Sequence, residues 1–225
     1  MCGRYVDHVP KMATWAKLID EWPVQRADYR ASYNVAPSKP VAAFKYPKGE
    51  AMRWGLVPAW AKEFTTQYST FNARLETVDE KPAFRSAWEK SQHCLIPMLG
   101  YYEWTGPKGS KQPYFIRGEA NTGLVTAGLY DNWLAQGDLT EAPLLSCSII
   151  TKPANQQLAS IHPRMPVILT LEAAEQWMNE QTKDAKDLLM EAQPPELSFY
   201  PVAKSVGNSR AEGIQLINEI DLDAS

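Results

Sequence analysis

Three cysteines and three histidines are all that 225 residues contain, and this scarcity removes several chemistries at once. Cys2, Cys94 and Cys147 are far apart, odd in number and form no CxxC pair. Neither a disulfide framework nor a cysteine-rich zinc site is expected. His8, His93 and His162 are too few and too scattered for a histidine-built metal centre. No glycine-rich phosphate loop, HExxH helix or GxSxG elbow occurs. No apolar run approaches the roughly 20 residues that cross a bilayer. The first residues lack a basic segment leading into an apolar one, so nothing there directs export. These absences predict a cytoplasmic protein that uses no membrane, metal or cofactor. A basic excess is missing too, and the net charge of −3 argues against broad, non-specific nucleic-acid binding. A local basic groove remains open, because Asp184, Asp187, Glu191, Glu196, Glu212, Glu219, Asp221 and Asp223 crowd the end of the chain. Arg4, Arg53, Arg74, Arg85 and Arg164 lie earlier.

What is present reads as short strands with helices scattered between them. Pro10 can open a helix whose face is Met12, Trp15, Ala16 and Ile19. Tyr33 to Pro37 interrupts regular structure, Val41 to Tyr46 is a strand, and Pro47-Lys48-Gly49 turns the chain into another. Pro82 opens a helix with Phe84 and Trp88 inward. Strands follow at Cys94–Leu99, Pro113–Arg117, Leu124–Tyr130 and Leu144–Thr151. Asn155 to Ser160 reads as a short helix, and Thr170 caps a helix carrying Ala174, Trp177 and Met178. With no regular βαβ alternation, the pattern predicts one α+β domain. Its sheet should be largely antiparallel and barrel-like. The domain should span residues 1–217, with 218–225 as an acidic tail.

Chemistry concentrates at a few positions. Cys2 is small enough for methionine aminopeptidases to remove Met1, which leaves an amine and a thiol on neighbouring carbons. An α-amine titrates near pKa 7.8, so roughly a quarter of it is unprotonated at about pH 7.4, against about a tenth of a per cent for lysine. Such a pair can attack an aldehyde through nitrogen and close the imine with sulfur, giving a five-membered thiazolidine. Glu103 sits among aromatics in Tyr101-Tyr102-Glu103-Trp104, where a carboxylate suits general acid–base work; a solvent-facing hairpin glutamate fits the same letters. His162, before Pro163, Arg164 and Pro166, is either a catalytic loop histidine or one that fills a turn. Asn72 and Arg74, two apart on an extended backbone, can point the same way, one toward a carbonyl and one toward a phosphate. Trp15, Trp88 and Trp177 fit a core, whereas Trp60 and Trp104 adjoin polar loops and could stack on bases.

Taken together, the segments resemble the SOS-response-associated peptidase (SRAP) family of abasic-site processing proteins. The matching stretches begin with Met1-Cys2-Gly3-Arg4, Asn34-Val35-Ala36-Pro37, Trp54-Gly55-Leu56-Val57-Pro58-Ala59-Trp60 and Asn72-Ala73-Arg74-Leu75-Glu76-Thr77. They continue with Cys94-Leu95-Ile96-Pro97, Gly100-Tyr101-Tyr102-Glu103-Trp104 and His162-Pro163-Arg164-Met165-Pro166. The resemblance implies a distorted, mostly antiparallel barrel with flanking helices, a groove for single-stranded DNA and Cys2 at its base. It implies that Cys2 forms a thiazolidine crosslink with the ring-opened abasic sugar, and that Asn72, Glu103 and His162 surround that sugar. Arg4, Asn34, Trp60, Arg74, Trp104 and Arg164 fall at positions in the DNA groove. Self-removal of Met1, an associated lyase activity and a monomeric state complete the expectation. Pro163, between His162 and Arg164, departs from the family pattern and changes how that loop can flex. Two rivals stand beside this reading. One is a cysteine peptidase acting on other proteins through Cys2, His162 and Glu103, and the other is a non-covalent reader of damaged or modified DNA.

Overall fold

The computed structural model describes residues 2–7, 30–46, 48–64, 68–119, 123–134, 143–179 and 182–222. The helix expected between Pro10 and Ile19 lies outside them. The described residues form a single α+β domain built on two sheets that share a core.

The first sheet is a closed ring. Strands β3 (Pro40–Lys45) and β4 (Lys48–Trp54) form a hairpin in which Lys48 already pairs with Lys45, so the turn comes earlier than Pro47-Lys48-Gly49 predicts. Strand β3 also pairs with β6 (His93–Met98), β6 with β9 (Leu124–Trp133), and β9 with β10 (Leu144–Pro153). Strand β10 returns to β4 in parallel and completes a five-stranded barrel. A ring this small needs close backbone approach. A Cβ on Gly128 of β9 would come within 2.9 Å of both the Cys94 sulfur and the Ser148 carbonyl oxygen. Beyond the barrel, β10 runs on and pairs in parallel with β5 (Asn72–Arg74) and antiparallel with β11 (Arg164–Pro166). Strand β12 (Ile168–Leu169) pairs with β9 on the edge opposite β6, where β10 leaves off.

The second sheet is antiparallel and includes β1 (Tyr5–Asp7), β2 (Ser32–Val35), β7 (Gly100–Thr105), β8 (Gln112–Gly118) and β13 (Leu197–Pro201). Its order is β13-β8-β7-β1-β2, which puts β7 in the middle. Tyr33 to Pro37 is therefore not the interruption the sequence predicts. Val35 turns into the shared core while Tyr33 packs on the outer face, the two-residue alternation of a strand. Gly100 lets the chain cross from one sheet to the other, since a Cβ there would sit 2.5 Å from the Ile116 carbonyl oxygen.

Strand alternation sorts the apolar residues into layers. Cys94, Ile96, Met98, Cys147 and Ile149 fill the barrel and meet Tyr5, Tyr101 and Ile116 of the second sheet. Leu95, Ala127, Leu129 and Ile150 face outward and are covered by α1 (Pro82–Glu89), α2 (Leu171–Asn179) and α3 (Thr182–Glu191). Pro82 opens α1 and the Thr170 hydroxyl accepts from the Ala173 N–H before α2, both as the sequence predicts. Helix α3 was hidden in an acidic stretch. It buries Ala185 and Leu189, and the Lys152 ammonium, itself buried, donates to the carbonyls of Leu189 and Met190 at 3.1 Å and to that of Ala192. A cation at the carbonyl end of a helix suits the helix dipole. The helix expected at Asn155–Ser160 is only a run of turns. Asn155 caps it, and Pro163 disfavours a helical conformation at His162, ending it after one turn. No helix among the described residues is long and apolar enough to cross a membrane.

One buried group makes the fold sensitive to acid. His93 stacks on Trp177 with ring centroids 3.6 Å apart, and its Nδ1 lies 2.8 Å from the Trp177 carbonyl oxygen. Burial pushes its pKa down to about 4. Above the ordinary histidine value of about 6.5 both folded and unfolded chains are neutral there, so the group contributes nothing to pH dependence. Between about 6.5 and 4 the unfolded chain takes up a proton that the folded one resists, so stability falls as pH falls, by up to about 3 kcal/mol. Melting curves of wild type and His93→Phe should therefore converge toward pH 4, with the flatter acid limb in the variant. Parallel curves across this window would show that His93 is not the responsible group.

Candidate active site

Cys2 is fully buried where the two sheets meet. Tyr5 pairs with Tyr101, and the Tyr102 N–H donates to the Arg4 carbonyl at 2.9 Å. The segment before β1 thus runs antiparallel along β7 and carries Cys2 back toward Glu103. From the other side Asn72, the first residue of β5, donates from Nδ2 to the Cys2 carbonyl oxygen at 2.7 Å. The Oδ1 of Asn72 is buried and has no hydrogen-bond partner among the described residues.

Alternation along β7 sends Tyr101 and Glu103 to the Cys2 side and Tyr102 and Trp104 to the opposite face. Glu103 is only 3% exposed, and its Oε1 lies 4.0 Å from His162 Nδ1. The turn at Pro163 folds Arg164 back so that its N–H donates to the same His162 nitrogen at 3.0 Å. Four residues from four distant segments, Cys2, Asn72, Glu103 and His162, therefore converge. Burial, reinforced by the Glu103 carboxylate, pushes the Cys2 thiol far above the ordinary cysteine range. The sulfur is protonated at neutral pH, and an amine at that position would be the stronger nucleophile.

The outer residues are distributed around this centre. Arg164 makes a two-pronged ion pair with Glu76, with Nη2 donating to Oε2 at 2.9 Å and to the Thr151 carbonyl at 2.8 Å. Exposed Arg74 adds its charge beside the same glutamate, and the pairing holds the Glu76 carboxyl below the usual carboxylate range. Arg4 donates to Asn34 Oδ1 at 2.9 Å and to the Val206 carbonyl at 3.2 Å. Asn34 in turn donates to the carbonyls of Asn208 and Ala211. Arg4 and Asn34 thereby tie the start of the chain to its C-terminal turns. Trp60 is 59% exposed, with its indole N–H 3.3 Å from the Pro82 carbonyl oxygen. Trp104 is half-buried against the layer of Tyr102 and Phe115, facing away from Glu103. Glu76 and Thr151, which hold Arg164, and Tyr101, beside Cys2, escaped the sequence reading. Tyr101 could have been found from its two-residue offset to Glu103. Among the described residues, no group of three or more His, Cys, Asp or Glu side chains could hold a metal ion.

Residues 1–209 match the family model described as SOS response associated peptidase (SRAP). The abasic site processing protein YoaM of Bacillus subtilis is 32% identical over 230 residues, covering 97% of this chain and 98% of that protein. The abasic site processing protein HMCES of Gallus gallus is 31% identical over 237 residues, covering 90% of this chain and 70% of the longer relative. A crystal structure of a protein from Bordetella bronchiseptica superposes with a TM-score of 0.76 at 26% identity, over 90% of this chain and 100% of that one. Another, from Bacteroides thetaiotaomicron, gives 0.73 at 25% identity and 97% of this chain. Matched from its first residue almost to its last, this chain belongs to the SOS response associated peptidase (SRAP) family.

Proposed function

We propose that this protein traps abasic sites in single-stranded DNA as a covalent thiazolidine crosslink through Cys2, once Met1 has been removed. The observation that carries the reading is the convergence of Asn72, Glu103 and His162 on a buried Cys2. Relatives named as abasic site processing proteins support the substrate class. In the reaction, the Cys2 nitrogen attacks C1′ of the ring-opened sugar, and the aldehyde oxygen departs as water to leave an imine. The thiol then adds to the imine carbon, and its proton ends on the nitrogen. Nitrogen goes first because the buried thiol holds its proton. Glu103 moves protons at the amine and imine, and His162 serves the sugar O4′. Asn72 anchors the Cys2 carbonyl, and its Oδ1, unpartnered among the described residues, can accept from a sugar hydroxyl. The same imine permits elimination of the 3′ phosphate, which is the lyase activity, and the Glu103–His162 pair is placed to assist hydrolysis of the Met1–Cys2 bond. A peptidase acting on other proteins fits less well, since it needs a thiolate beside an activating histidine and the Cys2 thiol is protonated.

Arg74 and Arg164 provide phosphate contacts on one flank, Arg4 with Asn34 lies on another, and Trp60 offers an exposed face to a base. The test is intact-mass analysis after incubation with a single-stranded oligonucleotide whose uracil has been excised. The expected species is the sum of protein without Met1 and DNA, less one water. Single strands should react faster than an abasic site in mid-duplex, because pairing and stacking resist turning the sugar outward by a few kcal/mol. With about three or four phosphate contacts, log affinity should fall against log salt with a slope of roughly −2 to −3. Equal rates on single strand and mid-duplex would overturn this geometry.

A further inference from the structure

Tyr101 is fully buried, yet its hydroxyl has no hydrogen-bond partner among the described residues. Burying an unpaired hydroxyl is costly, and a strand position facing an apolar barrel would be filled as well by phenylalanine. Tyr101 shares the Cys2-facing side of β7 with Glu103 and belongs to the buried cluster that contains Cys2. A donor with no acceptor among the described residues, beside the nucleophile, is what a site has when its acceptor arrives with the substrate.

We propose that Tyr101 is a further catalytic residue, whose hydroxyl donates a hydrogen bond to the aldehyde oxygen as the Cys2 nitrogen attacks C1′. The inference rests on the crosslinking reading above and adds a residue and a step to it. As the N–C1′ bond forms, the carbonyl π pair moves onto oxygen, and negative charge grows where the phenol O–H can meet it. The oxygen then leaves as water. Both of its protons come from the attacking nitrogen, relayed through Glu103, so Tyr101 ends the step as it began. Burial and the neighbouring Cys2 and Glu103 hold the phenol well above its ordinary range. It therefore keeps its proton throughout the working pH range and acts as a fixed donor rather than an acid. A preorganised donor in a site closed to water is worth more than the same group in solvent.

Tyr101→Phe keeps the ring and removes only the hydroxyl, so the resting protein should lose nothing. Its melting temperature should equal or exceed that of wild type, while single-turnover crosslinking of an abasic single strand slows on the order of 10²-fold. Affinity for a non-reactive tetrahydrofuran analogue should be unchanged, and the pH–rate profile should keep its shape at a lower level. A wild-type rate in the variant, or a clear fall in melting temperature, overturns the assignment, the second by showing that the hydroxyl has a structural partner. A profile that loses a limb overturns it too, by making Tyr101 an acid. Absence of any crosslink from wild type would overturn the crosslinking reading itself and this inference with it.

Discussion

Cys2→Ala is expected to abolish the DNA adduct that survives heat and denaturant, while an imine that borohydride can trap persists. Alanine, like cysteine, permits removal of Met1, so the variant presents an α-amine at the same buried place. An α-amine is far less basic than a lysine, so a share of it is unprotonated and nucleophilic at neutral pH. Sulfur is missing, so the imine cannot close into a ring and hydrolyses when the DNA is released. The expected loss is from near-complete crosslinking to a background detected only with reductant. In the proposed mechanism, burial beside Glu103 keeps the thiol protonated, which favours first attack by nitrogen and ring closure by sulfur. A stable crosslink of normal yield from Cys2→Ala would end the thiazolidine mechanism.

Glu103→Gln should slow both formation and reversal of the crosslink by about 10² to 10⁴-fold, with DNA affinity within about twofold of wild type. Forming and breaking the imine and the ring each require proton transfers, and the Glu103 carboxylate lies beside Cys2 and 4.0 Å from His162. Glutamine keeps the shape and loses the base. A second consequence runs the other way and makes the test decisive. The Glu103 charge helps hold the Cys2 thiol above its ordinary range, so neutralising it should ease thiol ionisation. If a thiolate made the first attack, Glu103→Gln would speed the reaction; if nitrogen does, the variant is slow. Single-turnover rates on abasic and tetrahydrofuran oligonucleotides separate the chemical step from binding. A loss that appears wholly as weaker binding would remove Glu103 from the chemistry.

The fold class was legible because its carriers are local. Pro82 and Thr170 punctuate helices, and Leu124–Tyr130 and Leu144–Thr151 are apolar runs of strand length. Helix α3 was not, because its buried face rests on Ala185 and Leu189 within an acidic stretch. Its carbonyl end is also held by Lys152, about 40 positions away in sequence. Strand β2 was missed for a related reason, since Tyr33 and Val35 serve different layers and neither layer is visible without the sheet. At the site, residue types could be read but not their company. That Arg164 answers to Glu76 and Thr151, or Arg4 to Val206, depends on pairs 88, 13 and 202 residues apart. No local pattern encodes such pairings.

Strand β10 carries β9 and β4 along its first half, then β5 and β11 along its second, so the strand that closes the barrel also holds Asn72 and Arg164 in place. Amides on such a strand exchange with solvent only through openings close to global unfolding in cost, as do those of β7 at the centre of the second sheet. The residues around Cys2 therefore have no inexpensive way to move apart. In the proposed reaction, whatever bending, unstacking or rotation brings C1′ to the nitrogen must then be undergone by the DNA. Lesions in strands that are already unpaired and pliable should consequently be captured first, by their own compliance.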